Sequence, residues 1–123
     1  MSITLKISGI AILFILMIVS GIWLAKTGKP YDATLFNMHK FLSLIAVVVT
    51  GILAYNLYRA GAFPQVVLLL MFIAAVLFLV LIVSGGLMNT NTAAHQLLQV
   101  VHRITSGAAI ILSVLVFYML LKG

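Results

Sequence analysis

Polar positions are so sparse along this chain that they act as punctuation between long apolar runs. The first run extends from Ile7 to Ala25, interrupted only by Ser8, Gly9, Ser20 and Gly21. Lys26 to Thr34 then forms a polar connection in which Gly28-Lys29-Pro30 breaks a helix, and Asp32 or Thr34 can cap the next one. The second run ends at Arg59 with Gly61 and Pro64 just beyond, and Pro64 suits the first turn of a third helix. Asn89 to Thr92 is the last polar break, with Asn91 or Thr92 as the cap. The pattern predicts helices over about 4–25, 35–58, 64–88 and 93–121, each long enough to cross a hydrocarbon layer that needs roughly 20 apolar residues. Short connections between such helices predict an all-α, integral membrane, up-down-up-down four-helix bundle in one transmembrane domain. The first run could be read as a signal peptide behind Lys6. It is too long for a signal core of about 7–15 residues, and its Val19-Ser20-Gly21 recurs in the third run, so it is read as a span.

Composition narrows the chemistry. Hydrophobic residues form 65% of the 123 residues and charged residues 7%, against roughly 25% charged in soluble domains. The net charge of +6 comes from seven scattered Lys and Arg against one acid, Asp32. Bases placed this way act as topology signals and headgroup anchors, so the expected partner is the lipid bilayer and not nucleic acid. The absence of cysteine excludes thiolate zinc, iron–sulfur clusters and cysteine nucleophiles. A single carboxylate excludes a carboxylate-bridged di-iron site, paired-acid hydrolysis and an acid-to-acid proton relay.

The polar residues repeat. At an offset of 63, His39 matches His102, Lys40 Arg103, Ser43 Ser106, Ala46 Ala109, Thr50 Ser113, Tyr55 Tyr118 and Arg59 Lys122. At an offset of 64, Ile18-Val19-Ser20-Gly21 matches Ile82-Val83-Ser84-Gly85. The chain therefore reads as two copies of a helical hairpin, about 1–61 and 62–123. With two spans per copy, the copies are expected to share an orientation about an axis along the membrane normal, setting the two histidines at similar depth across the bundle.

Small residues at +4, +7 and +11 from each histidine stay within about 40° of it on a helix. Such a column admits either a second helix or a flat cofactor. Two histidines at one depth, without carboxylate or thiolate, suit an iron whose other four ligands come from a porphyrin. The expected cofactor is one haem b with His39 and His102 as axial ligands. The competing reading is that the histidines hydrogen-bond between helices and the small residues are ordinary small-xxx-small packing. His95, seven residues before His102, is an alternative ligand or a propionate or quinone contact. Lys40 and Arg103 can meet haem propionates or snorkel to lipid headgroups. Ser43, Ser106, Gly21 and Gly85 are candidate haem-pocket residues, the glycines admitting the macrocycle edge. Trp23, Tyr31, Tyr55, Tyr58 and Tyr118 read as interfacial belts.

The histidine-plus-base pairs His39-Lys40 and His102-Arg103, on the second and fourth spans, resemble the four-helix b-type cytochromes, and in spacing one half of a haem A synthase. Cytochrome b561-type proteins are similar in placing histidine pairs across a bundle, but carry two haems. This chain lacks histidines on spans one and three, and it lacks the acid and the cysteine pair of the synthases' first extracytoplasmic loop. The resemblance implies a membrane cytochrome, and the outward-facing ligands of the synthases imply cytoplasmic termini in a prokaryotic cytoplasmic membrane. With both axial positions filled, electron transfer is expected, as an electron-transfer protein or oxidoreductase subunit and not a stand-alone enzyme. A quinone or redox partner protein, and a homodimer or larger respiratory complex, would complete it. The rival class is a non-redox small membrane subunit or a haem-handling or assembly factor.

Overall fold

A computed structural model describes residues 2–61, 63–90 and 93–122. It is all-α, as the apolar pattern predicts, with four helices: α1 (Ile3–Thr27), α2 (Ala33–Arg59), α3 (Gln65–Thr90) and α4 (His95–Lys122). They hold 25, 27, 26 and 28 residues. At 1.5 Å per residue these lengths of about 37–42 Å exceed a hydrocarbon core of about 30 Å, and all four are apolar enough to cross it.

The ends follow from local chemistry. Ser2 accepts from the Leu5 N–H to open α1. Gly28, at φ 67°, closes it by donating to the Leu24 carbonyl, a conformation that a side chain would strain. Asp32 is the cap of α2, accepting from the Leu35 N–H at 2.9 Å, so this helix starts two residues before Leu35. Pro64 stands just outside α3, and its carbonyl accepts from the Val67 and Leu68 N–H groups. The caps expected at Asn91 and Thr92 lie outside the described residues. The first described contact at that end is the Leu98 N–H on the Ala94 carbonyl, and α4 begins at His95 rather than Ala93.

The chain divides into two compact units, Met1–Ala62 and Phe63–Gly123. Each is a helical hairpin, α1 against α2 and α3 against α4. In the first, Ile7, Ile10, Phe14, Ser20 and Leu24 of α1 are buried together with Leu35, Ala46 and Leu53 of α2. In the second, the buried residues are Val67 and Ser84 of α3 and Ala109, Ser113 and Val116 of α4. The seam positions of α2 and α4 recur every seven residues, as His39-Ala46-Leu53 and His102-Ala109-Val116, the spacing that keeps one face of a helix against a neighbour. Ala46 is 0% exposed and Ala109 3%, so the small-residue column serves close helix approach inside each hairpin.

Around these narrow seams the surface is apolar: Phe41, Ile52, Phe72, Ile104 and Ile111 are all more than half exposed. A water-soluble protein does not present such faces, and the fitting solvent is a lipid bilayer. Hydroxyls along the helices are satisfied internally, with Ser8 donating to the Thr4 carbonyl and Thr50 to the Ala46 carbonyl, as an apolar solvent requires.

Candidate functional site

Each hairpin holds one histidine at the turn end of its seam. His39 is six residues into α2 and His102 seven into α4, so both lie about 9–10 Å along the axis from their helix start. Both are half-buried, because the seam covers one side of each ring.

In both hairpins a serine of the facing helix lies against the histidine Nδ1. His39 Nδ1 lies 2.9 Å from Ser20 Oγ and 2.9 Å from the Met17 carbonyl oxygen, both on α1. His102 Nδ1 lies 2.9 Å from Ser84 Oγ on α3. Ser20 also donates to the Met17 carbonyl at 2.8 Å, and Ser84 to the Leu81 carbonyl at 3.2 Å, each three residues earlier. Both serines are 3% exposed, so neither hydroxyl has water as an alternative partner.

The glycine after each serine makes room for the ring. A Cβ placed on Gly21 would stand 2.8 Å from His39 Cε1, and one on Gly85 would stand 3.2 Å from His102 Cε1. Expected to clear a macrocycle edge, these glycines here clear the imidazole itself. The repeated Val-Ser-Gly is thus one half of a two-helix device: serine meets Nδ1 and glycine leaves room for the Cε1 edge of the ring. Ser20 and Ser84 are site residues that were not singled out from the sequence, although they could have been. Positions 20 and 39 are equidistant from the Lys29-Pro30 turn, as antiparallel partners must be.

The remaining candidates are placed as follows. Ser43 and Ser106 give their protons to the carbonyls of His39 and His102, at 2.7 and 2.6 Å, and so work along their own helices. Lys40 and Arg103 are exposed, one position round from each histidine. His95 is the first residue of α4 and half-buried, about 10 Å along the axis from His102. Asp32 is occupied as the α2 cap.

Comparison with protein-family models, with curated proteins and with solved structures gives no match.

The interhelical hydrogen bonds of the competing reading exist, one set in each hairpin, and they tie α1 to α2 and α3 to α4. They use Nδ1. A histidine that gives one ring N–H to a carbonyl or hydroxyl oxygen is a common form of protein metal ligand. Among the described residues no group of three or more His, Cys, Asp or Glu side chains converges. A metal ion held by protein donors alone would need such a group. Each hairpin by itself offers one oriented imidazole.

Proposed function

We propose that the chain is a membrane b-type cytochrome that binds one haem b through His39 and His102 and works in electron transfer. The observation that carries this reading is the duplication of a whole ligand setting. A histidine, the serine that engages its Nδ1 and the glycine beneath its ring recur in both hairpins.

The residues divide the work. The Met17 carbonyl, Ser20 and Ser84 orient the imidazoles; Gly21 and Gly85 let them lie close to the facing helix. Lys40 and Arg103, adjacent to the ligands and exposed, are the cations for the two propionates. When bound, the haem supplies a one-electron ferric–ferrous couple. Two histidine ligands leave iron no open position, which restricts the site to electron exchange and excludes O₂ activation. A lipid-soluble quinone, a redox partner protein or a larger respiratory complex would supply or take the electron, in a prokaryotic cytoplasmic membrane with the termini inside.

Haem stoichiometry tests this reading. The purified chain, expressed with sufficient haem, is expected to give one haem b per chain in a pyridine haemochrome assay. A value of two would demand ligands outside the duplicated pair, and the absence of haem would refute the proposal.

A further inference from the structure

Each serine–histidine contact has few protons to share. A backbone carbonyl only accepts hydrogen bonds, so the 2.9 Å contact between His39 Nδ1 and the Met17 oxygen needs the ring proton on Nδ1. A serine hydroxyl has one proton. Ser20 spends it on the same carbonyl, at 2.8 Å, and its lone pair then faces the Nδ1 proton. In the second hairpin Ser84 Oγ lies 3.2 Å from the Leu81 carbonyl oxygen and 2.9 Å from His102 Nδ1, and the repeat extends the same assignment to His102.

We propose that Ser20 and Ser84 are positioning residues that hold both imidazoles as Nδ1–H tautomers, with the lone pair on Nε2. This inference rests on the reading of His39 and His102 as axial ligands, for it explains how each ring is ready to ligate before the iron arrives. It also gives the serines an electronic role. An oxygen that accepts from Nδ1–H makes Nε2 a stronger donor, and a stronger donor favours ferric over ferrous iron. The buried location of both serines strengthens the effect, since no water competes for the Nδ1 proton.

Two measurements test it, one of them without haem. In the haem-free full-length chain, long-range ¹H–¹⁵N correlation of the imidazoles is expected to show His39 and His102 as Nδ1–H tautomers. In the Ser20→Ala/Ser84→Ala double variant the Nε2–H form should grow in at His102, whose Nδ1 faces Ser84 Oγ, whereas His39 keeps its Nδ1 proton on the Met17 carbonyl. In the haem-loaded chain the double variant should lose about tenfold in ferric-over-ferrous preference, a rise in potential of about 59 mV for a one-electron couple. Threonine at both positions, which restores the hydroxyl, should bring the potential back. Nε2–H tautomers in the unsubstituted chain would overturn the inference while leaving haem ligation standing, as would an unchanged potential in the double variant. If the tautomers are as stated and no haem binds, the positioning role holds and the cytochrome reading fails.

Discussion

His39→Ala and His102→Ala are each expected to lower the haem bound per chain by at least tenfold and to abolish the six-coordinate spectrum, whereas His95→Ala keeps both. The size follows from rank. Loss of a group that merely orients a metal-bound histidine costs about 10–100-fold in affinity, and loss of the histidine itself should cost no less. His95 lies at the first residue of α4, about 10 Å along the axis from His102, and its removal leaves the Ser84–His102 pair intact. The same variants separate ligation from packing. An interhelical hydrogen bond inside a membrane contributes about 0.6 kcal/mol on average, too little to unfold a hairpin. Helix content by circular dichroism should therefore be preserved in all three. If haem is retained in His39→Ala or His102→Ala, that histidine is not a ligand; loss in His95→Ala alone would move the site to the helix start.

The second large effect belongs to Gly21. Its missing side chain leaves 2.8 Å between an ideal Cβ and His39 Cε1, well inside contact distance. The ring cannot swing away cheaply, because Nδ1 is tied to both Ser20 and the Met17 carbonyl. Gly21→Ala should cost about 1–3 kcal/mol as overpacking of the seam, and haem occupancy should fall because the ring must turn. Gly85→Ala, with 3.2 Å available, should behave alike but more mildly. Gly51→Ala is the control: nothing lies within 4 Å of its Cβ position, so haem content should not change and thermal stability in detergent should not fall, alanine being the better helix former. Equal effects at Gly21 and Gly51 would show that the close ring contact has no energetic weight.

Much of this architecture was legible in the order of residues. Four apolar runs separated by Gly28-Lys29-Pro30, by Gly61 to Pro64 and by Asn89 to Thr92 dictate four helices, since backbone in hydrocarbon must satisfy its own hydrogen bonds. The cap was narrowed to Asp32 or Thr34, and the carboxylate of Asp32 takes the role. Less legible was how the halves of each repeat meet. Both Val-Ser-Gly and His-Lys or His-Arg are visible as repeats, but their pairing depends on the register of an antiparallel hairpin. That register is set by where Gly28 ends α1 and Asp32 starts α2. The small-residue column was ambiguous for a related reason: Ala46 reads equally well as clearance for a cofactor or for a helix, and its complete burial shows that it lies in the packed hairpin seam. Gly21 was legible as a place where bulk is forbidden, but not as the seat of His39 itself.

His39 and His102, each against a buried serine, are proposed as the two axial ligands of one haem b. A dithionite-reduced minus oxidised spectrum of the purified chain tests it most directly. A sharp b-type α band of a six-coordinate, low-spin haem is the predicted result; a chain made with ample haem that shows no such band, or only a five-coordinate spectrum, would contradict it.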